Sequence, residues 1–153
     1  GEAASNLDLY QVNCSFYDAL GQDDQAYLIA RAIQFFSPGI PQIYYGGLLA
    51  SQNDIKLLEE TKVGRDINRP YYTFDEIDAA LEKEVVKQLL NLIYFRNNHD
   101  SFNGVFQVMD YGDENLHLRW VKADQWAELV VNLSEMKMNI TFSEDANNYS
   151  LNN

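Results

Sequence analysis

The chain has 153 residues, 46% of them hydrophobic, which supplies a packed core and argues against wholesale disorder. Eleven basic residues against 23 acidic ones leave a formal charge of −12; that argues against non-specific binding to nucleic acid or anionic membranes, which needs a positive surface. A single cysteine, Cys14, excludes an internal disulfide and a Cys-based zinc site, and no run approaches the roughly 20 apolar residues of a membrane span. The opening "GEAASNLDLY" lacks the basic and then apolar pattern of a secretory leader. The chain begins at Gly1 rather than Met, so an upstream part is expected. Asn-x-Ser/Thr triplets at Asn13, Asn132, Asn139 and Asn148 read as coincidence in so asparagine-rich a chain.

In chain order, residues 1–22 show no sustained periodicity and read as an ordered loop with one short turn. Asp23 caps a helix with Asp24 in its first turn, where negative charge suits the helix dipole. Ala26, Ile29, Ala30, Ile33 and Phe36 fall at helical spacing and predict one buried face. Pro38-Gly39 ends that helix. Ile40–Tyr45 follows as a short apolar run and predicts a strand buried on both faces. The irregular "SQNDIKLLEETKVGRDINRPYY" holds one helical turn around Ile55–Leu58. Thr73 and Glu76 form a capping box, and a further helix is predicted from about Val85 to Asn97, with Val85, Leu89, Leu92, Ile93 and Arg96 on one side. From Phe102 the texture changes. "GVFQVMDY", "NLHLRWVK", "AELVVNLS" and "MNITFSE" are β-rich segments separated by "GDEN", "ADQ" and "SEMK", the pattern of an antiparallel meander.

The boundary between the two textures falls near Ser101. Helix–strand–helix around a buried strand is the unit of an α/β barrel or of an open parallel sheet. One such strand closes neither, so residues 1–101 read as the end of a larger domain and 102–153 as a small antiparallel β domain.

In an α/β barrel the loops after the strands build the active site. The loop before the first helix carries Asp8, Tyr10 and Gln11; the loop after Tyr45 carries Asp54, Lys62, Arg65, Asp66, Asn68 and Arg69. Amide, carboxylate and guanidinium groups beside tyrosines suit sugars, whose hydroxyls want planar polar partners and whose ring faces want aromatics. Composition equally allows that these residues merely order two long loops. His99 and His117 have no second metal ligand at useful spacing and read as structural. Cys14 reads as a small packing residue. Trp120 and Trp126 read as core of a small sheet rather than as a sugar platform. No phosphate-binding glycine loop or Gly-x-Ser-x-Gly elbow is present.

"PGIPQIYYG" resembles the eighth-strand motif of the α-amylase superfamily, glycoside hydrolase family 13. Together with "AASNLDLYQVN", "NDIKLLEETKVGRDINRPYY" and "FRN", in that order, it resembles the sucrose phosphorylase branch of that family. The resemblance is closest over residues 3–103. It implies an α/β fold: the C-terminal portion of a (β/α)8 TIM barrel, with the loop after strand seven, helix seven, strand eight and helix eight, followed by the small antiparallel β domain.

It also implies a retaining transfer of glucose from sucrose to phosphate that needs no metal or organic cofactor. Inorganic phosphate is the co-substrate. Sucrose, phosphate and glucose 1-phosphate are then the small-molecule partners, with no nucleic acid and no membrane, a cytoplasmic location and a homodimer of the full-length protein. The family's nucleophile, general acid and transition-state-stabilising carboxylate follow strands four, five and seven. All three are expected before Gly1, in a missing N-terminal barrel segment, so no catalytic residue is assigned here and the chain alone is expected to be inactive.

Binding residues are implied one by one. Asp8 and Gln11 match positions on the acceptor side, where fructose leaves and phosphate enters, and Leu7 and Tyr10 lie in the same loop. Arg65 matches an arginine of the donor subsite, and Arg69 is added as the other arginine of that loop. Pro70 stands where the resemblance implies histidine, and Gly46-Gly47 stands where relatives often carry valine or an acid; the two glycines are expected to clear space beside the donor sugar. Two other readings stay open: a related phosphorylase or glucosyltransferase with another acceptor (sucrose 6'-phosphate, glucosylglycerate), and a non-catalytic carbohydrate-binding fragment.

Overall fold

The computed structural model describes residues 12–109 and 112–143. Helices come first: α1 (Phe16–Ala19), α2 (Asp24–Phe36), α3 (Tyr45–Leu48), α4 (Ile55–Thr61), a 3₁₀ turn (Gly64–Asn68), α5 (Phe74–Leu81) and α6 (Glu84–Asn98). A second 3₁₀ turn (Asp100–Asn103) leads into strands β1 (Val105–Met109), β2 (Asn115–Lys122), β3 (Gln125–Asn132) and β4 (Lys137–Phe142). The chain divides into two compact units. The first takes the chain up to Tyr27 and Ile43–Lys87, the second Leu28–Gln42 and everything from Gln88 on.

In the first unit, local side chains start α1, α2, α4 and α5, whereas α3 begins at Tyr44 without a side-chain cap. Ser15 accepts the Asp18 amide at 3.2 Å on α1, and Asp23 accepts the Ala26 amide at 2.8 Å on α2. Asp54 accepts the Leu57 amide at 2.9 Å on α4. Thr73 and Glu76 form both halves of the predicted capping box on α5. The amide and then the hydroxyl of Thr73 hold the Glu76 carboxyl below its ordinary value. Helix α4 ends where Lys62 enters the left-handed region at a φ of 58°. The interior gathers Tyr27, Leu49, Ala50 and Ile67. The Tyr27 ring meets Tyr17 edge-on at 5.3 Å, and its hydroxyl donates to the Gly47 carbonyl.

The second unit holds the sheet, whose strands pair antiparallel in the order β1-β2-β3-β4. Its register sets Trp120 between Phe106 and Ala127, and Leu118 between Val108 and Leu129, so all six share one face. Leu118, Trp120, Ala127, Leu129 and Val131 are buried there, with Trp120 in the core as its sequence context predicts. The opposite face carries Arg119 and Glu128, paired at 3.2 Å. An aromatic cluster closes the buried face: Phe102 lies 5.2 Å from Phe36 and 5.4 Å from Phe95, and the Trp120 indole donates to the Phe36 carbonyl at 2.7 Å.

Two side chains lock this cluster. Arg96 donates from Nε to the Phe35 carbonyl at 2.7 Å and from Nη2 to the Gly39 carbonyl at 3.2 Å. Its guanidinium stands 4.4 Å from the centre of the Phe102 ring. His99 is buried, with Nδ1 2.8 Å from the Ser101 hydroxyl and Nε2 3.1 Å from the Ser143 carbonyl. A carbonyl only accepts, so Nε2 carries a hydrogen, and in the neutral ring Nδ1 then accepts from Ser101.

The structure corrects two expectations. Residues 40–45 form no buried strand: the chain has no regular secondary structure up to Tyr44, itself extended, and Tyr45 begins the helical turn α3. Ile40 is 90% exposed and Tyr44 54% exposed. A strand exists through bonds to a neighbouring strand, and the sheet β1–β4 is the only one among the described residues. The Gln42 carbonyl instead accepts from the Gln34 side chain at 2.9 Å. The barrel expected around this segment is therefore not displayed by the described residues.

Helix α2 also buries more than the predicted stripe. Tyr27, Leu28, Ile29, Ala32, Phe35 and Phe36 are all buried, while Ala26, Ala30 and Ile33 are only partly covered. A helix covered on several sides needs more apolar surface than a single stripe provides. On α6 the predicted side holds, with Val85, Leu89 and Leu92 buried.

Candidate substrate-binding site

Arg65 and Arg69 are the arginines of the loop after α4, and local packing turns both outward. Ile67, between them, is 1% exposed and pins the first 3₁₀ turn to its unit. The turn is closed by the Asp66 amide on the Val63 carbonyl at 3.0 Å and the Arg69 amide on the Asp66 carbonyl at 3.1 Å. With three residues per turn, burying Ile67 sends Arg65 to a different side, and both arginines are exposed. Neither guanidinium makes an ion pair or hydrogen bond among the described residues.

Tyrosines lie in the same unit. The Tyr44 and Tyr45 rings are 4.3 Å apart, and Tyr72 meets Tyr45 edge-on at 6.3 Å. The Tyr45 hydroxyl donates to the Pro70 carbonyl at 3.0 Å. Burial, followed by the Tyr44 hydroxyl, pushes Tyr45 up to about 12, with Arg69 pulling the other way. The phenol thus stays protonated at neutral pH and remains a donor. Arg69 is within electrostatic reach of the Tyr45 hydroxyl.

Leu7, Asp8, Tyr10 and Gln11 lie outside the described residues. Of the other polar residues singled out in the second loop, Asp54 caps α4 and Lys62 ends it. Asn68 donates to the Cys14 carbonyl at 3.3 Å. Sequence reasoning passed over Asn53, whose side chain accepts the Ser15 amide at 2.7 Å; its place beside the Asp54 cap was the one local signal. His117 Nε2 lies 3.6 Å from the Glu128 carboxylate. Among the described residues no group of three or more His, Cys, Asp or Glu could hold a metal ion, and no helix is long and apolar enough to cross a membrane.

Gly46 answers part of the question raised by the glycine pair. It is buried in the α3 turn, and a Cβ there would meet the Ser51 hydroxyl at 3.4 Å and the Asn68 carbonyl at 3.5 Å, ordinary van der Waals distances. Its open side thus faces this chain's own atoms. Gly46→Ala is expected to leave stability unchanged or raise it by up to about 1 kcal/mol through helix propensity. Thermal unfolding checks this, and a clear loss of stability would contradict it.

No protein-family model matches the chain. Individual proteins do. The chain is 59% identical over 143 residues to a sucrose phosphorylase of Agrobacterium vitis, covering 94% of this chain and 29% of that protein. It is 46% identical over 141 residues to a sucrose 6(F)-phosphate phosphorylase of Thermoanaerobacterium thermosaccharolyticum, with 92% and 29% covered. A glucosylglycerol phosphorylase of Marinobacter adhaerens is 45% identical over 136 residues, with 89% and 28% covered.

Among solved structures, a sucrose 6F-phosphate phosphorylase from Thermoanaerobacter thermosaccharolyticum superposes with a TM-score of 0.85 at 48% identity, covering 86% of this chain and 27% of that one. An α-amylase from H. orenii superposes at 0.56 with 20% identity, over 79% and 28%, a likeness of fold alone. Over most of its length the chain is similar to glycoside phosphorylases named for sucrose and sucrose 6(F)-phosphate. More narrowly, it matches the C-terminal part of the sucrose phosphorylases. It spans about 29% of the length of these curated relatives.

Proposed function

We propose that the chain is the substrate-binding C-terminal part of a retaining glycoside phosphorylase that converts sucrose and phosphate to α-D-glucose 1-phosphate and fructose. The observation that carries this reading is the 59% identity to the Agrobacterium vitis sucrose phosphorylase across 94% of the chain. Arg65 holds hydroxyls of the donor glucose through its planar fork, and Arg69 adds positive charge for phosphate in a chain of formal charge −12. Asp8, Gln11, Tyr10 and Leu7 serve the acceptor side, where phosphate replaces fructose.

Retaining transfer needs two carboxyl groups about 5–5.5 Å apart across the sugar. In this reading they come from the barrel portion, and phosphate is co-substrate with no metal or organic cofactor. A second reading keeps the class and changes the acceptor, because relatives named for sucrose 6(F)-phosphate and for glucosylglycerol are 46% and 45% identical.

The test is release of glucose 1-phosphate by the full-length protein carrying this segment, from sucrose, sucrose 6'-phosphate, glucosylglycerol and glucosylglycerate, each with phosphate. The highest kcat/KM is expected on sucrose. A higher value on another glucoside selects the second reading, and no phosphate-dependent release from any of them overturns both.

A further inference from the structure

Asn103-Gly104 is the one Asn-Gly pair in the sequence. Such a pair carries its own chemistry: the glycine nitrogen, with no side chain beside it to hinder approach, attacks the asparagine side-chain carbon. The fold requires the glycine here. A Cβ on Gly104 would lie 2.0 Å from the Val121 carbonyl oxygen, so no bulkier residue slows the attack without displacing the start of β1.

The structure shields both reacting groups. The attacking species is the deprotonated Gly104 amide, and that N–H donates to the Ser101 carbonyl at 2.9 Å. The Asn103 side chain donates from Nδ2 to Asp100 Oδ1 at 3.0 Å, and the same oxygen accepts Lys122 Nζ at 2.7 Å. The shield is uneven. Ser101 and Phe102 are buried, whereas Asn103 is exposed and the Asp100 and Lys122 side chains keep 46% and 45% of their surface in water. An ion pair on that wet side contributes little, and local opening of such a turn needs far less free energy than global unfolding. An opening that lets the Gly104 amide exchange its hydrogen also lets it react.

We propose that Asn103 is a site of spontaneous deamidation, gated by opening of the 100–103 turn, and that its isoaspartate product releases the start of β1. In the open turn, base removes the Gly104 amide proton and the nitrogen bonds to Asn103 Cγ. The Cγ–Nδ2 bond breaks, and Nδ2 takes a proton from water and leaves as ammonia. Water then opens the succinimide ring. Attack at Cγ gives aspartate, and attack at the Asn103 main-chain carbonyl gives isoaspartate. Either product sets a carboxylate beside Asp100 in place of the Nδ2 donor. Isoaspartate also inserts a methylene into the main chain directly before Gly104, where Val105 pairs with Val121 and there is no slack.

The experiment ages the full-length protein carrying this segment at mildly alkaline pH, folded and in urea. Mass spectrometry of the Asn103 peptide, with isoaspartate-specific methylation, follows the product. Folded protein is expected to convert measurably, but at least about tenfold more slowly than in urea. Asp100→Ala is expected to speed conversion about fivefold, the effect of one lost hydrogen bond, and to speed exchange of the Gly104 amide hydrogen by the same factor. Asn103→Gln closes the ring far less readily and is expected to stay unconverted. Aged protein rich in isoaspartate is expected to exchange its β1 amides faster than fresh protein. Should Asp100→Ala fail to fold, the parent decides: below the unfolding transition, Gly104 exchange and conversion must rise together with urea. No conversion in folded protein while the urea sample converts overturns the site. Equal rates in the two samples overturn the gate, and unchanged β1 exchange in the isoaspartate form overturns the release.

Discussion

Replacing Gly104 by alanine is expected to destabilise the protein by about 3 kcal/mol, the upper end for forced overpacking. A Cβ at this position would lie 2.0 Å from the Val121 carbonyl oxygen, 2.5 Å from its carbon and 2.7 Å from the Lys122 Cβ. The two nearest atoms are backbone, so no rotamer change relieves the clash. Gly104 bonds back to the Ser101 carbonyl at 2.9 Å and feeds straight into β1, where Val105 pairs with Val121. Either the turn opens or the first pair of the β1–β2 ladder is lost.

Gly112→Ala is the informative contrast. Gly112 has a φ of 85° with nothing within 4 Å of its Cβ position, so only the conformational cost of about 1–2 kcal/mol applies. Urea unfolding of the two variants separates steric from torsional cost. A smaller loss for Gly104→Ala than for Gly112→Ala would contradict the steric account.

Arg96→Ala is expected to cost about as much, roughly 3 kcal/mol, for a different reason. The last carbonyls of a helix have no partner within it. Arg96 supplies partners from α6, reaching the carbonyls of Phe35 and Gly39 while its guanidinium covers the Phe102 ring and lies 5.5 Å from that of Trp120. Positive charge at the C-terminal end of α2 also suits the negative end of the helix dipole. Arg96→Lys keeps the charge and loses the fork, so it is expected to recover less than half of the loss. Denaturant midpoints with matched slopes decide this; full recovery by lysine would show that charge alone carries the effect.

What could be read from the sequence is what depends on near neighbours. Asp23, Thr73 and Glu76 were legible as caps because each bonds to an amide only three residues away, Asp23 and Thr73 forward and Glu76 back to Thr73. The four β segments were legible because each pairs with the next one along the chain. Residues 40–45 were not, since their apolar run specifies burial without supplying the strand that would pair with it. The site divides in the same way. Arg65 was singled out only through a family motif, and its exposure follows from the burial of Ile67, which no local pattern announces. The Asn53 and Asn68 ties were invisible, because a bond spanning dozens of residues leaves no periodic trace.

The meander has a kinetic consequence. Each rung of its three ladders joins strands separated by a short turn, Lys122 to Gln125 and Asn132 to Lys137 among them. Contact order within the sheet is therefore low, and closing each hairpin costs little chain entropy. Hairpins form in about 1–10 μs, so strand pairing there can proceed as successive local events. Docking Phe36 and Phe95 onto the finished face joins residues much farther apart in sequence and is the slower, non-local step.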